Sequence, residues 1–232
     1  MANMVRVLST LALKGAVISL AARFEAEGGA RIDADFAPTL ALLERLRSGE
    51  GADVVILTKE ALDDLAARGT VVAASCADLA RSFVGLAVKA GSVHPDIATE
   101  AALRATLLGA RSVAYSRLGA SGIFFTQLIE RMGIDAEINA RAKIIPQGFT
   151  AELLVSDKAD LAVQQISELK LVGGVEVVGP IPRALQNPAV FSAGRLAASN
   201  NVAPSDRLLK FLASPEAAPA LRESGLEPCI SP

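Results

Sequence analysis

Apolar positions along this chain follow two alternating rhythms, short continuous runs and spacings of three and four. Residues 5–8 form a short apolar run that reads as a buried strand. Residues 14–27 read as an amphipathic helix closed by Gly28 and Gly29. The pattern repeats with a strand at 31–36 and a helix at 39–47, then a strand at 53–57 and a helix at 60–68. A second set begins with a strand at 82–88 bounded by Gly91. It continues with a helix at 98–108, a strand at 111–115 and a helix at 122–132 closed by Gly133. Strands at 142–145, 161–163 and 176–178 follow, with a helix near 150–156 and a stop at Gly179-Pro180-Ile181-Pro182. A late strand at 190–198 leads to a helix at 205–212 with Ser205 as N-cap. A last helix starts at Pro215 with Ser214 as cap. Strands alternating with helices predict parallel strands covered on both faces, and this many short strands suit two α/β units joined by a crossover.

Composition narrows the chemistry. The chain has 232 residues, 51% of them hydrophobic, yet no run reaches the roughly 20 apolar residues a membrane span needs. Lys plus Arg is 23 against 25 Asp plus Glu, a formal charge of -2, and no basic run marks a nucleic-acid binder. One His, two Cys and no Trp argue against a His-rich metal site, a disulfide scaffold and an aromatic stacking platform. No metal and no cofactor is expected. Cys76 and Cys229 read as free thiols, and His94 as a surface loop residue. The apolar start is interrupted by Lys14 and Arg23 and has no clear small-x-small cleavage site. The chain as written reads as cytoplasmic, or as periplasmic if a signal peptide has been removed.

In open α/β sheets, ligands bind beyond the carboxyl ends of strands, so the strand-to-helix junctions are where chemistry is expected. Ser9 and Thr10 follow the first strand. One hydroxyl can cap the helix and the other is left to face a ligand. Thr39 stands at the second junction as a cap or an anion donor. At the third, Thr58 is a cap-like residue and Lys59 a cation at a strand end. The strongest local signal is Ser116-Arg117-Leu118-Gly119-Ala120-Ser121-Gly122, where small residues open a helix and leave backbone N–H groups exposed. Arg117 could clamp an anion there, together with Ala120, Ser121 and Gly122. The segment is neither a phosphate-binding loop ending in Gly-Lys-Ser/Thr nor a dinucleotide fingerprint. Gln164 and Gln165 bring two amides to the fifth junction. Together these residues describe a site of neutral donors with one or two cations, suited to a small anion.

Five stretches occur in a characteristic order: VRVLSTLALKGAVISLAARFE at 5–25, GADVVILTKEALDDLAARG at 51–69, ASGIFFTQLIERMGI at 120–134, KADLAVQQISELKLVGGVEVVGPIP at 158–182 and LLKFLASPEAAPALRESGLEP at 208–228. On these stretches the whole chain resembles the periplasmic binding protein type 2 superfamily, in its molybdate-binding-like branch of solute-binding proteins. The resemblance implies an α/β fold of two lobes with the ligand cleft between them and a hinge. Residues 1–80 plus 191–232 would form lobe one, and 81–190 lobe two. It implies Ser9 and Thr39 as hydroxyl donors of the first lobe, and Ser121 with its neighbours as the helix terminus of the second. Gln165 falls near a position where the family commonly has a ligand-binding Tyr, and Pro38-Thr39 replaces the family's usual Gly-Ser pattern. These departures point away from molybdate. The Gln-Gln-Ile-Ser version looks like an often leaderless subgroup that is similar to bacterial aconitate isomerase, which implies an organic polycarboxylate.

Two functions follow as expectations. The first is a solute-binding protein for a small anion, an organic carboxylate rather than molybdate, with an ABC permease as partner if the chain is exported. The alternative is an isomerase shifting a proton and a double bond in an unsaturated tricarboxylate. That chemistry needs a general base, and Lys59 is the candidate if partial burial lowers its pKa.

Overall fold

The alternation of strand and helix is realised in the computed structural model, which describes residues 4–229. The chain starts with β1 (Met4–Ser9), α1 (Lys14–Ala26), β2 (Arg31–Phe36), α2 (Thr39–Arg47), β3 (Val54–Thr58), α3 (Lys59–Ala67) and β4 (Ala77–Ser82). It continues with β5 (Val84–Lys89), α4 (Glu100–Gly109), β6 (Val113–Ser116), α5 (Ala120–Arg131), α6 (Asp135–Asn139), β7 (Lys143–Ile145), α7 (Glu152–Val155), β8 (Leu161–Gln165), α8 (Ile166–Leu169) and β9 (Val175–Pro180). It closes with β10 (Ala189–Arg195), α9 (Val202–Leu212), α10 (Ala218–Glu223) and β11 (Glu227–Pro228). Two compact units result, one from Met1–Ser82 with Ala189–Pro232, the other from Phe83–Pro188. Residues 1–3 and 230–232, which the sequence assigns to the first lobe, lie outside the described residues.

The sheet of the first unit has the order β11-β4-β10-β3-β1-β2 among the described residues. β1 pairs in parallel with β2 and with β3, while β10 runs antiparallel to β3 and β4. The apolar run of β1 divides by parity. Val5 and Val7 enter the core beneath α1, and Leu8 enters the one beneath α2 and α3. β3 does the same, with Val54 and Ile56 on the first face and Val55 and Leu57 on the second. Strands buried on both faces therefore read as continuous apolar runs rather than alternating ones. α1 turns Ala16, Val17, Leu20 and Phe24 inward. It ends where Gly28, at φ 76°, donates to Glu25 O (3.0 Å) and Gly29 donates to Phe24 O (2.9 Å).

The second unit has the order β7-β6-β8-β5-β9, with β6 parallel to β7 and β8 and with β5 antiparallel to β8 and β9. α4 is capped by Thr99, whose Oγ accepts from the Ala102 N–H at 3.1 Å. α5 is entered through the small-residue turn. A Cβ placed on Gly122 would lie 1.4 Å from the Ser116 carbonyl oxygen, so only glycine lets the helix start this close to the end of β6. Gln186 ties the two ends of the unit together. Its Oε1 accepts from the Val84 N–H (2.9 Å), and its Nε2 donates to Val84 O (3.1 Å) and Ile181 O (2.5 Å).

Several expectations need correction. β4, β11, α6 and α8 were not read from the sequence. β4 (ADLARS) mixes charged with apolar residues because its face is only partly covered. β9 does not stop before Gly179. It runs through Pro180, because the register with β5 shifts between Leu86 and Ala87. α9 starts three residues earlier than predicted, with Asn201 as N-cap and Pro204 in its first turn. Ser205 is therefore inside the helix, where its Oγ donates to Asn201 O at 2.6 Å. Ser214 precedes a 3-10 turn, Pro215–Ala217, without a side-chain cap bond.

Two substitutions test this packing. Gln186→Leu leaves the Val84 N–H and the Ile181 carbonyl without their side-chain partner and should destabilise the protein by about 3 kcal/mol, read as a lower urea midpoint. Gly122→Ala must open the β6–α5 turn and should cost about 3 kcal/mol or more in the same measurement. A midpoint within error of the parent would refute either account.

Candidate functional site

Both units repeat one arrangement. In the first, β1 leads through α1 to β2 on one side, and β2 leads through α2 to β3 on the other side of β1. In the second, β6 leads through α5 to β7 on one side, and β7 leads through α7 to β8 on the other. The connections leave β1 and β6 in opposite directions from their neighbours, which opens a crevice at the carboxyl ends of β1 with β3 and of β6 with β8. Every residue singled out at a strand-to-helix junction lies at or beside one of these ends, so each unit is described at its own switch point.

At the first, Ser9 and Thr10 close β1. The Thr10 N–H donates to Ile56 O at 3.0 Å, holding β1 against β3 to its end. The Ser9 Oγ is buried and donates to Thr10 O at 3.1 Å. The Thr10 Oγ is also buried but has no hydrogen-bond partner. A buried hydroxyl left unpaired costs about 1–3 kcal/mol, so the Thr10 Oγ is free to bond a group that reaches the end of β1. No side-chain cap bond is made by Thr10 or by Thr58 at the start of α3, and the half-buried Thr39 follows Pro38, which is the N-cap of α2. Lys14 was not singled out from sequence. It opens α1, and its Nζ lies 5.8 Å from the centre of the Phe36 ring at the end of β2. Ser82, at the end of β4, carries a second buried, unpartnered hydroxyl.

Lys59 does not meet the requirement for a general base. Its side chain is 43% exposed and paired with Asp63 at 3.2 Å and Asp78 at 3.6 Å. The hydrogen bond to Asp63, then the charge of Asp78, raise its pKa. Opposite charges favour the ammonium form, whereas a base must shed its proton near neutral pH.

At the second switch point, Ser116 ends β6 and Gly119 is the N-cap of α5. Ala120, Ser121 and Gly122 form the first turn, with Ser121 and Gly122 buried. Arg117 is exposed. The two glutamines lie inside β8 rather than beyond it, and alternation sends them to opposite faces. Gln164 shares its face with Ala162 and is fully engaged. Its Oε1 accepts from the Thr150 N–H (2.8 Å) and Oγ (3.0 Å), and its Nε2 donates to Gly148 O (2.9 Å). The expectation that Gln164 binds ligand is therefore corrected, because a carboxamide with both ends committed is a structural tie. Gln165 lies on the face of Leu161 and Val163, where its Oε1 is buried without a partner. The neighbouring Ser167 Oγ is likewise buried and unpartnered.

Sequence reasoning missed Glu168. It is buried, and burial pushes its carboxyl up to about 8, opposed by hydrogen bonds from the Gln164 side chain and the Gln165 N–H. The signal was its spacing. An acidic residue three places after a helix N-cap reaches back to the cap N–H, and Gln165 is the N-cap of α8. His94 lies on an exposed loop, and its Nε2 is 2.9 Å from Glu176 Oε2. Cys76 and Cys229 are free, and burial raises the pKa of both thiols. Among the described residues there is no cluster of three or more His, Cys, Asp or Glu side chains able to hold a metal ion, and no helix is long and apolar enough to cross a membrane.

The neutral donors at these strand ends are chemistry suited to small anions. Comparison with known proteins agrees with the architecture. An aconitate isomerase from a Pseudomonas species is 37% identical over 228 residues, covering 96% of this chain and 87% of that protein. The periplasmic molybdate-binding protein of Azotobacter vinelandii superposes with a TM-score of 0.81 at 16% identity, covering 98% of this chain and 99% of that one. The sulfate-binding protein of Mycobacterium tuberculosis superposes at 0.72 with 14% identity, covering 98% and 87%. At such identities the two structures speak for a shared two-lobed binding-protein fold. The family of bacterial extracellular solute-binding proteins matches residues 5–227, and the chain belongs to that family.

Proposed function

We propose that this protein binds a small organic polycarboxylate through the unpartnered donors at its switch points. The observation that carries this reading is the 37% identity, over nearly the whole chain, to an enzyme whose substrate is aconitate. The site chemistry supports it. Thr10, Thr39 and Thr58 offer hydroxyls, Ser121 sits in the first turn of α5, and Gln165 offers a carboxamide. A carboxamide turns either its donor or its acceptor to a ligand, so it suits a molecule carrying carboxylates as well as hydroxyl or protonated carboxyl groups. Lys14, Arg117 and the helix N-termini add positive potential only locally. An ABC permease is the partner this reading implies where the chain acts outside the cytoplasm.

The same relative favours a second reading, an allylic isomerase. There a proton leaves the methylene of cis-aconitate, the electron pair spreads over the adjacent unsaturated carboxylate, and a proton returns to give the trans isomer. Hydroxyls and amides would stabilise the charge that develops on the carboxylate oxygens. Lys59, whose ion pairs with Asp63 and Asp78 raise its pKa, is poorly suited to carry the proton.

Calorimetry with cis-aconitate, trans-aconitate, citrate, molybdate and sulfate tests the first reading, and should give heat with the tricarboxylates. Thr10→Val sharpens it. Removing an unpaired buried hydroxyl should leave the melting temperature unchanged or higher, while tricarboxylate affinity falls about ten-fold. Silence across the panel, or unchanged affinity in the variant, would sink the reading. Proton NMR of cis-aconitate incubated with the protein decides the second, with appearance of the trans isomer as the expected signal.

A further inference from the structure

We propose that the first unit carries a second ligand site, a cavity at the opposite end of its sheet from the switch point, which takes a small monocarboxylate with an apolar body. It shares no residue with the site of the function proposed above and does not rest on that reading.

The place follows from the register of β10 on β3. Phe191 lies opposite Thr58 at the carboxyl end of β3, and Arg195 lies opposite Val54 at its start. Four residues of strand, about 13 Å, therefore separate Arg195 from the switch point of this unit. Beside Arg195, a cavity of about 360 Å³ lies between α9 and the 3-10 turn Ala73–Ser75 that precedes β4. Small-molecule sites have volumes of roughly 300–1,000 Å³, and about 150 Å³ is enough for one benzene ring.

The rim is tied together by its backbone. The Arg195 N–H donates to the Ser75 Oγ at 2.9 Å, and the Val72 N–H donates to Arg195 O at 2.9 Å. The Ser75 hydroxyl in turn donates to Val72 O at 2.6 Å. α9 supplies the facing wall. Asp206, Leu209, Lys210 and Ala213 recur at spacings of three and four, so one face of the helix lines the cavity. Leu209 and Ala213, with Val72 and Ala77, make part of the lining apolar.

The charges decide what this lining accepts. Asp206 and Lys210 stand one helical turn apart, where an ion pair ordinarily closes along the helix. Asp206 instead accepts from the Arg195 Nε at 2.9 Å. Among the described residues Lys210 has no ion pair, and the terminal nitrogens of Arg195 have no hydrogen-bond partner. The Arg195 side chain is only 13% exposed, so Asp206 holds a largely buried guanidinium with its outer N–H groups open. A guanidinium fork matches a carboxylate with two parallel hydrogen bonds, and Lys210 adds a point charge. One carboxylate against two cations leaves a single positive charge in the lining. A monocarboxylate balances it. A tricarboxylate would press its surplus charge against Asp206 and the apolar wall, and an uncharged ligand would leave the cations unanswered.

The half-buried free thiol of Cys76 lines the same cavity and serves as its reporter. The test is alkylation of the full chain by iodoacetamide, followed at Cys76 and Cys229 by peptide mass spectrometry. Benzoate is the probe and benzamide its uncharged counterpart. At about four times its Kd, benzoate should slow alkylation of Cys76 about five-fold, because only the empty fraction reacts, and leave the rate at Cys229 unchanged. Benzamide should need a concentration about ten-fold higher or more for the same protection. Lys210→Glu reverses an exposed, unpaired charge, and Arg195→Met keeps the stem without the guanidinium. Each should lower benzoate affinity about ten-fold, read by the same protection. Should Arg195→Met not fold, Lys210→Glu decides. Absence of protection, equal protection by benzamide, or parental benzoate affinity in Lys210→Glu would overturn the site. Stronger protection of Cys76 by trans-aconitate than by benzoate would overturn the assignment of a monocarboxylate. Calorimetric silence toward tricarboxylates removes the function proposed above and leaves this site standing.

Discussion

The reversal of strand order beside β1 and beside β6 is the constraint from which the rest of each unit follows. A central strand whose neighbours are reached in opposite directions cannot have both connections fill the space at its carboxyl end. What forms there must be short and small. In the second unit the turn from Ser116 to Gly122 meets that demand by letting α5 begin against a backbone carbonyl, where no side chain fits. In the first, Ser9 and Thr10 lead through a single 3-10 turn into α1, and Thr10 stays bonded to β3. The helices that cover the sheets thus begin at places where polar groups have few protein partners.

The three buried glutamines of the second unit show how position decides what one residue type does. Gln186 and Gln164 have both ends of their carboxamides bonded to backbone or to Thr150, and each ties segments distant in sequence. Gln165 is equally buried, yet its oxygen is unpaired. Burying a polar group without a partner opposes folding, so the unpaired Gln165 oxygen is a cost that the proposed ligand would offset. Thr10 stands in the same relation to Ser9, whose hydroxyl is bonded to the chain.

Much of this was legible in the chain because β1 and β3 are buried on both faces, β2 alternates, and their helices end in glycine. The runs at β1, β2 and β3, the helices α1 and α2, and the small-residue entry to α5 were each readable from local pattern and turn chemistry. What was not legible depended on partners distant in sequence. β4 and β11 are defined by pairing with β10 and with each other rather than by their own residues. Gln164 and Gln165 look alike in sequence, and only the parity of β8 separates the structural tie from the open amide. Lys59 looked like a lone cation at a strand end because Asp78 lies on another strand. Glu168 was hidden for a related reason. Its neighbours Ile166 and Leu169 announce a buried turn, but its isolation from every cation is a property of the packed unit.

That isolation also bears on how a chain with a net charge of -2 could hold an anion. Long-range attraction is not available, so the favourable potential has to be built within a few ångströms of the ligand. Lys14 occupies the first turn of α1, where a cation opposes the helix dipole by a few tenths of a kcal/mol at about the level expected for exposed sites. Stacking against Phe36 offsets part of that, and a carboxylate bound near the strand ends would reverse the sign. In the second unit burial pushes the Glu168 carboxyl up to about 8. A carboxyl that stays protonated at neutral pH is costly to maintain unless its surroundings exclude both water and counter-charge.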